Sequence, residues 1–463
     1  MEDDIEQLYL RAREAFGQIE FWPQERVDEM VAAVGYELQK KEIAESLVKI
    51  AMEEAGLGVY EHKVGKQINK VRAAIRDLKG IKTCGVVKEL PEKGIKIIAK
   101  PMGVVATVVP CTNPTSTPSF IGLNLLKTRN AMIVSPHPRT KKSTFQTIEY
   151  GRKALRQVGA PEDLLLCIKE PSNQKTVELM SCCDFAVATG GAALVKVVYS
   201  AGTPAQTVSS GNVVSIIDET VDPGIVAQRI MLSKTLDNAS GCSADNAVAI
   251  HESLYEKMIA ALEAVGGYLC TRDEREKVRH ALWPDGKNLN KDVVAQSVQR
   301  IAKIAGIEIG KDVKFLMVVG EKVGPEDRFS GEKLCPVLTV WKWTDFDEIV
   351  ERVKGMHQFS GAGHSVSIQT RKEERMLDLA LRANVGRVCC NMPHAMANSG
   401  CWFSGQPVTT TLACGTWAGN MSSDNINWRH FLNYTWLALP IEEHVPTDEE
   451  LFGDYLRKWG RGD

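Results

Sequence analysis

Short β-branched runs alternate with helical stretches along most of this chain, and no other feature of the sequence constrains the fold as strongly. A first series between residues 131 and 191 consists of AMIVSPHP, LLLCIKE and FAVATGG, with helical segments between the runs. A second series follows residue 242 and consists of AVAIHE, FLMVVG, PVLTVW, SVSIQT and GRVCCN. Strands that alternate with helices assemble into parallel sheets covered by those helices. The sequence therefore predicts an α/β fold with two parallel-sheet lobes.

The segments before the first series predict helices and then a hairpin. Apolar Val27, Met30, Val31 and Val34 recur at the spacing of one helix face. From about residue 84 the runs GVVKEL, KGIKIIAK and GVVATVVP are separated by Pro and Gly, which predicts a β-hairpin leading into a core strand. A chain of 463 residues exceeds the size at which one core usually divides. We expect the site to lie in the cleft between the two lobes.

The charge balance excludes some classes of partner. The chain has 56 Lys and Arg against 58 Asp and Glu, so nothing in its charge favours nucleic acid or an anionic membrane. No apolar run reaches the length of a transmembrane span, and no signal peptide is visible. We expect a cytoplasmic protein whose 12 cysteines are reduced. Its 9 histidines lack metal-ligand spacing, so we expect no bound metal.

A pair of glycines is the candidate dinucleotide site. The sequence has no G-x-G-x-x-G fingerprint. However, Thr189, Gly190 and Gly191 lie between the apolar run FAVA and the helical segment AALVKVVYS. Backbone N–H groups and the positive end of a helix would face a diphosphate there. A simple strand-to-helix turn explains the same pattern, so both interpretations stay open.

Two cysteines compete as candidate nucleophile. Cys242 follows the small-residue segment SKTLDNASG and precedes the strand AVAIHE, an arrangement that can present a thiol to a cleft. Cys414 lies in TTTLACGTWAGN. Neither has an obvious His or carboxylate partner nearby in sequence. Because a free Cys also serves as a small buried apolar side chain, local spacing does not choose between the two.

Three further polar residues are candidates of a less specific kind. Asn113 lies between a strand and Pro114, where its amide either donates to an oxyanion or bonds its own backbone. His137 in SPHP and His364 in GAGHSVS are open to packing and capping roles as well as to chemistry. None of the three decides a function alone.

Eight segments together resemble the CoA-acylating branch of the aldehyde dehydrogenase superfamily, in the family's order and along nearly the whole chain. They are TNPTST at 112–117, LKTRN at 126–130, SPHPR at 135–139, ATGG at 188–191, SKTLDN at 233–238 with Cys242, EKLCPVL at 332–338, GAGH at 361–364 and TTTLACGTWAGN at 409–420. The resemblance implies a cofactor-binding domain at 1–235, which includes the hairpin at about 84–100. It also implies a catalytic domain at 236–420, and a return segment and oligomerisation tail at 421–463.

The resemblance assigns roles to individual residues. Cys242 would be the nucleophile, Asn113 the oxyanion donor and Glu332 the residue that holds the nicotinamide ribose. The other cofactor-binding residues would be Thr112, then Thr189, Gly190 and Gly191 by the diphosphate, and Ser135 and His137 on the adenosine side. His364 and Cys414 would belong to the substrate and CoA pocket, with Cys414 in a structural role.

One absence favours acyl transfer to CoA. Hydrolytic members of the family carry a Glu in an E-L-G-G-K motif that activates water, whereas the corresponding stretch here, QTVSSGNVVSII, has no carboxylate. A thioester on Cys242 would then survive until the CoA thiol attacks it. The chain departs from the family where SSGNV replaces G-A-G-N-T-P and where CSADN replaces C-x-S-E-Q. Both changes bear on the pocket around nicotinamide or substrate.

The ligands and assembly are also expectations from the resemblance. The tail from residue 427 looks most similar to the sulfoacetaldehyde group, and NSGCWFSGQPV at 398–408 departs from the acetaldehyde pattern near the expected substrate funnel. We expect CoA, NAD or NADP, and a small aldehyde, with sulfoacetaldehyde ahead of acetaldehyde and succinate semialdehyde. A hydrolytic dehydrogenase and a non-catalytic scaffold stay open as alternatives. The hairpin and tail imply a homodimer or homotetramer, because an exposed edge strand needs a partner.

Overall fold

The chain begins with four helices that pack beside the first lobe. The computed structural model describes residues 4–190 and 192–460. The helices are α1 (Ile5–Ile19), α2 (Gln24–Leu38), α3 (Lys41–Ala55) and α4 (Tyr60–Leu78). The apolar face predicted for α2 is buried, since Val27, Met30, Val31 and Val34 all lie in the core. The hydrophobic periodicity of the sequence therefore identified the packed face of this helix.

A β-hairpin follows these helices, as predicted for residues 84–100. Strand β1 (Gly85–Leu90) pairs antiparallel with β2 (Ile95–Pro101). Gly94 in the turn has a φ of 60°, and a Cβ there would lie 2.6 Å from the carbonyl oxygen of Leu439. The turn therefore requires glycine both for its backbone conformation and for space.

The first lobe is a parallel five-stranded sheet in the order β5-β4-β3-β6-β7. Its strands are β3 (Val104–Val108), β4 (Ala131–Ser135), β5 (Leu165–Cys167), β6 (Phe185–Thr189) and β7 (Ala205–Val208). The connecting helices are α5 (Ser116–Lys127), α6 (Lys141–Gln157), α7 (Asn173–Cys182) and α8 (Ala192–Ser200). β4 is buried along its whole length, because a parallel strand is covered on both faces.

The second lobe is a parallel seven-stranded sheet in the order β10-β11-β12-β9-β8-β13-β14. Its strands are β8 (Val213–Ile217), β9 (Asp245–His251), β10 (Gly267–Leu269), β11 (Phe315–Val319), β12 (Val337–Trp343), β13 (Val366–Gln369) and β14 (Val388–Cys390). Its helices are α9 (Pro223–Thr235), α10 (Tyr255–Ala264), α11 (Arg272–Leu282), α12 (Val298–Ala305), α13 (Phe346–Phe359), α14 (Glu373–Arg382) and α15 (His394–Ala397). The expected fold class, two parallel-sheet lobes with a hairpin, is confirmed.

The chain crosses from the first lobe to the second before the domain boundary expected at residues 235 and 236. β8 begins at Val213 and pairs with β9 and β13 of the second sheet. The apolar run VVSII indicates a buried strand, but no local signal in it says which sheet the strand joins. The strand order therefore places β8 with the second lobe.

The C-terminal segment returns to the hairpin. Strand β15 (Leu432–Ala438) pairs antiparallel with β2 and completes a three-stranded sheet in the order β1-β2-β15. Helix α16 (Asp448–Trp459) follows and is largely exposed. Within residues 4–190 and 192–460, no helix has both the length and the apolar character needed to cross a bilayer.

Candidate active site

Two strands of the first sheet supply one wall of a cavity of about 570 Å³. Thr112 and Asn113 follow β3, whereas Thr189 and Gly190 lie at the end of β6. β4 and β5 lie on one side of β3 and β6 on the other, so the strand order reverses and opens a crevice at these carboxyl ends. All four residues line the cavity.

The amino ends of three adjacent strands in the second sheet surround the candidate nucleophile. Gly211 precedes β8, Cys242 precedes β9 and His364 precedes β13. Because β8 lies between β9 and β13, these three turns meet at one edge of the sheet. Cys242 is half-buried and lines the cavity together with Glu332. The cavity thus lies between the carboxyl edge of one sheet and the amino edge of the other.

The segment before Cys242 is a strained turn held by one carboxylate. Asp237, Asn238 and Ala239 have φ values of 54°, 53° and 55°, a left-handed run that residues other than glycine rarely adopt. The Asp237 carboxylate accepts hydrogen bonds from Val59 N, Lys63 Nζ, Lys66 Nζ and Ser240 Oγ. Burial opposes its ionisation, but the charges of Lys66 and Lys63, with the hydrogen bonds from Val59 and Ser240, outweigh burial and lower the pKa of Asp237 to about 2. The ionised carboxylate therefore stabilises the turn that presents Cys242.

Glycines allow the backbone around the thiol to pack closely. A Cβ on Gly211 would lie 2.1 Å from the carbonyl oxygen of Cys242. Gly361 and Gly363 have φ values of 84° and 72°, and a Cβ on Gly363 would lie 1.7 Å from the carbonyl oxygen of Cys414. Side chains at these positions would clash with backbone that has no room to move. The GAGH segment is therefore built to bring His364 against the nucleophile turn.

His364 lies directly behind the candidate nucleophile. Its Nε2 is 3.0 Å from Cys242 Sγ, and its Nδ1 is 2.7 Å from Ser365 Oγ. Burial, aided by the charge of Arg387, lowers the pKa of His364 well below its ordinary value, so the ring is neutral at neutral pH. When Nδ1–H donates to Ser365 Oγ, Nε2 presents its lone pair to the thiol. The arrangement is that of a nucleophile and its base.

The ionisation of the cavity carboxyl and thiol is suppressed by burial. Burial raises the pKa of Cys242 to about 12, with Glu332 and Cys414 adding to the effect. Burial also raises the pKa of Glu332 to about 8, although Glu332 Oε1 accepts a hydrogen bond from Gly211 N at 3.1 Å. Both groups are therefore protonated at neutral pH, and the thiol needs a base to become a nucleophile.

The stretch QTVSSGNVVSII contributes Val208 and two serines to the cavity. Ser209 and Ser210 line it, and neither is an acid. Glu332, however, places a carboxyl group in the same cavity from another part of the chain. The absence of a carboxylate is therefore a property of this stretch and not of the whole cavity.

A lysine orients the Asn113 amide. Lys66 Nζ donates to Asn113 Oδ1 at 2.9 Å, which places the NH₂ group of the amide on the other side. That NH₂ group has one long hydrogen bond, at 3.3 Å to Thr112 Oγ1. One N–H of the amide is therefore available to a ligand oxygen in the cavity.

The cavity has polar groups that fit a nicotinamide cofactor. Thr189 Oγ1 is buried and, within residues 4–190 and 192–460, has no hydrogen-bond partner. It precedes α8, whose positive end favours an anion. Glu332 supplies a carboxyl group in the same cavity. Gly191, the other glycine of the predicted diphosphate turn, lies outside the described residues.

Several predicted residues lie outside this cavity. Ser135 is buried at the end of β4, where its hydroxyl bonds Thr176 Oγ1 at 2.8 Å, and His137 Nδ1 accepts from Arg139 N at 3.1 Å. Cys414 is buried, and its Sγ donates to Leu412 O at 3.3 Å. Neither Cys414 nor His364 lines the cavity, and the substrate and CoA pocket role expected for them stays a prediction.

Sequence analysis missed two groups of residues at the site. It found no base for Cys242 because His364 is 122 residues away along the chain. It also passed over Lys63, Lys66 and Lys70, whose spacing on α4 places them on one helix face. That spacing was the available signal for the lysines. In the described part of the chain, no three His, Cys, Asp or Glu side chains cluster as metal ligands.

Gly211→Ala should lower kcat by about 100-fold or more, because the new methyl group would displace the Cys242 backbone and misplace the nucleophile. Steady-state kinetics and thermal unfolding measure the effect on activity and on folding separately. Gly17→Ala on α1, where a Cβ meets nothing within 4 Å, is the matched control. Activity retained in Gly211→Ala would contradict the close packing at Cys242.

Comparison with known proteins places the chain among enzymes of one family. The model of the "Aldehyde dehydrogenase family" matches residues 1–407. A sulfoacetaldehyde dehydrogenase of Acholeplasma sp is 40% identical over 452 residues, which cover 97% of this chain and 93% of the relative. A sulfoacetaldehyde dehydrogenase (acylating) of Bilophila wadsworthia is 39% identical, covering 98% of this chain and 99% of the relative.

A solved structure has the same architecture. The crystal structure of an acetylating aldehyde dehydrogenase from Geobacillus thermoglucosidasius superposes with a TM-score of 0.92 at 33% sequence identity. The match covers 96% of this chain and 98% of that chain. The similarity therefore extends over both lobes and the antiparallel sheet.

Proposed function

We propose that this chain oxidises sulfoacetaldehyde to the corresponding acyl-CoA through a thioester on Cys242. The chain belongs to the aldehyde dehydrogenase family and to its CoA-acylating branch. The enzyme is an oxidoreductase whose family uses NAD(P) and CoA. We propose NAD or NADP as the hydride acceptor and CoA as the acyl acceptor. The observation that carries the proposal is the 3.0 Å approach of His364 Nε2 to Cys242 Sγ at the wall of the cavity that contains Asn113.

The first step is attack of sulfur on the aldehyde. His364 Nε2 takes the proton of the Cys242 thiol, and the sulfur forms a bond to the carbonyl carbon. The carbonyl π electrons move to oxygen, which the Asn113 amide and the backbone N–H of Cys242 stabilise. One such donor is worth about 10²- to 10³-fold in rate. Lys66 supports this step by keeping the Asn113 amide in the donating orientation.

The later steps complete the oxidation and release the acyl group. The nicotinamide ring supplies the hydride acceptor when the cofactor is bound, and Thr189, Gly190 and Glu332 are the residues proposed to hold it. Oxidation leaves an acyl group on Cys242 Sγ. The CoA thiol then forms a bond to the acyl carbon as the bond to Cys242 breaks, and the cysteine recovers a proton. The enzyme alternates between free and acylated forms, which gives ping-pong kinetics.

The lack of an effective base for water near the thiol, among the described residues, favours CoA as acyl acceptor. Ser209 and Ser210 line the cavity in the stretch where hydrolytic members carry their activating Glu. Glu332 has a pKa of about 8 and an Oε1 already bonded to Gly211 N, so it is a poor base at neutral pH. A thiol is intrinsically a better nucleophile toward a thioester than unactivated water.

Sulfoacetaldehyde is the proposed substrate because two relatives at about 40% identity over nearly their whole length carry that aldehyde in their names. Its chemistry requires the enzyme to hold a small aldehyde with an anionic end. The cavity of about 570 Å³ also has to accept the reactive ends of the cofactor and of CoA in turn.

We also propose that the protein forms a homo-oligomer through the antiparallel sheet. β15 is exposed along most of its length and contains Trp436 and Leu437. The following segment and α16 expose further apolar side chains, namely Leu439, Ile441, Phe452, Tyr455 and Trp459. Exposed apolar surface of this extent beside an edge strand is typical of a subunit interface.

Omission of CoA should stop turnover after one hydride equivalent per active site, because the thioester accumulates without an acceptor. Steady-state NAD(P)H formation without CoA should be at least about 100-fold slower than with CoA. A factor of this size is expected when no general base activates water. Stopped-flow absorbance measures the burst, and intact-protein mass spectrometry detects the acyl group on Cys242. Full turnover to a free acid without CoA would refute the acylating function.

A further inference from the structure

Three lysines on one face of α4 are directed toward the active-site cavity. Lys63, Lys66 and Lys70 follow the i, i+3, i+7 spacing that places side chains on the same side of a helix. Lys66 and Lys70 line the cavity that contains Cys242, and Lys63 lies buried beside them. The helix therefore brings a row of basic side chains to the active-site cavity.

The carboxylate beside this row compensates only part of its charge. Asp237 pairs with Lys63 and with Lys66, each at 2.9 Å. Lys70 forms no ion pair with any carboxylate of the described residues. Its Nζ donates instead to Ser399 O and Ser399 Oγ at 2.8 Å, and to Gly400 O at 3.2 Å. Among the described residues, the carboxyl groups that line the cavity are those of Glu61, which is exposed, and Glu332.

We propose that Lys70, together with Lys66 and the Ser399 hydroxyl, forms an anion subsite that binds the charged head group of the aldehyde substrate, a sulfonate or a carboxylate. The inference rests on the proposed function and deepens it, because it names the residues that select an anionic aldehyde over a neutral one. Lys70 would act as a specificity-determining residue rather than as part of the acyl-transfer chemistry.

The subsite lies on the same helix face as the lysine that orients the Asn113 amide. In sulfoacetaldehyde the sulfur is two bonds from the carbonyl carbon. Lys66 Nζ bonds the same Asn113 amide that is proposed to hold the carbonyl oxygen, at 2.9 Å. Lys70 lies one helical turn further along α4, roughly 6 Å away between Cβ atoms. A head group that extends from the carbonyl carbon toward α4 would therefore contact Lys66 first and Lys70 next.

The loop that departs from the acetaldehyde pattern covers this part of the cavity. Residues 398–408 pack on α4, where Ser399 and Gly400 accept the hydrogen bonds of Lys70 and Arg76 stacks over the Trp402 ring at 5.3 Å. Ser399 Oγ accepts from Lys70, and its own hydrogen is available to a ligand. By excluding water, the loop strengthens the attraction between an ammonium and an anion.

The ionisation of Lys70 is consistent with a site completed by an anion. Burial, with the repulsion of Lys66, lowers the pKa of Lys70 to about 7. The other charged or titratable groups that act on it are Asp77 and Arg76 of α4 and Cys401 of the loop. An anion beside Lys70 would favour the protonated amine and so raise this pKa.

The alternative role of Lys70 is to tie the loop to the helix. Its three hydrogen bonds to Ser399 and Gly400 would serve that purpose without any ligand. A merely structural lysine would affect every aldehyde equally, whereas a head-group lysine affects only anionic aldehydes. The two roles therefore separate in a comparison of substrates.

The test is Lys70→Met in the full-length enzyme, assayed with CoA and saturating cofactor against sulfoacetaldehyde and acetaldehyde. We expect KM for sulfoacetaldehyde to rise about 10- to 100-fold, the range for loss of a charged hydrogen-bonding partner. KM for acetaldehyde and kcat for both aldehydes should change less than about threefold. Lys49→Met, at an exposed position of α3, is the matched control. An equal loss with both aldehydes would overturn the proposal.

A second measurement tests the subsite with anions that are not substrates. In the acetaldehyde assay, 2-hydroxyethanesulfonate and 3-hydroxypropanoate should inhibit competitively with the aldehyde, and Lys70→Met should weaken that inhibition about tenfold or more. The stronger inhibitor identifies the head group. No inhibition by either anion, or inhibition unchanged in Lys70→Met, would overturn the subsite. A wild-type enzyme that fails to form acyl-CoA from any aldehyde would instead refute the proposed function.

Discussion

Cys242→Ala is expected to reduce acyl-CoA formation by on the order of 10⁴-fold or more, because among the described residues no other group lining the cavity supplies a thiol with a base beside it. The hydride burst without CoA should disappear in the same variant, since hydride leaves only after sulfur has bonded to the aldehyde carbon. Stopped-flow absorbance measures the burst, and mass spectrometry of protein incubated with aldehyde and cofactor should find no acyl group.

Cys401→Ala is the matched control for this experiment. Cys401 is the other thiol that lines the cavity, but the structure places no histidine against it among the described residues. Its removal should leave the burst intact. Cys414→Ala tests the rival nucleophile, whose Sγ is buried against Leu412 O outside the cavity. A burst that survives in Cys242→Ala and is lost in Cys414→Ala would reverse the assignment.

His364→Ala is expected to lower kcat by about 10²- to 10⁴-fold at neutral pH, the range for loss of a general base. The cause is the thiol itself, because burial raises the pKa of Cys242 to about 12 and leaves almost no thiolate without a proton acceptor. The variant should regain activity as pH rises, by about tenfold per unit between pH 7 and 10, since its rate follows the thiolate fraction.

The wild-type pH profile should change at a lower pH than the profile of the variant. The pKa of His364 is lowered by burial, so the imidazole is already unprotonated at neutral pH and remains an acceptor as pH rises. Wild-type activity should therefore lack the tenfold rise per pH unit over that interval, and it should fall on the acidic side, below the ordinary range of histidine. His280→Ala, at an exposed position of α11, is the control. Equal pH profiles for wild type and His364→Ala would exclude His364 as the base.

The thiol and Glu332 form a site that stays uncharged until it is used. Both groups have pKa values raised by burial, to about 12 and about 8. An uncharged thiol resists oxidation better than a thiolate. Activation by His364 at the moment of attack reconciles a protected thiol with nucleophilic catalysis.

Much of the architecture was predictable because it depends on local patterns. The alternation of apolar runs and helical stretches predicted two parallel sheets, and the spacing of Val27, Met30, Val31 and Val34 predicted the buried face of α2. The hairpin at 84–100 was likewise visible in short β-branched runs separated by Pro and Gly. Ordered motifs also brought Asn113, Cys242 and Glu332 forward as candidates, and all three line one cavity.

The sequence alone therefore determined which elements form, which faces are buried and which short segments are candidates for chemistry. Only the tertiary structure decided that β8 joins the second sheet, that His364 is the partner of Cys242 and that Lys66 and Lys70 of α4 line the cavity. The physical reason is that periodicity and turn chemistry act over a few residues. Strand order instead brings together the turns before β8, β9 and β13, and nothing within any one of those turns specifies its neighbours.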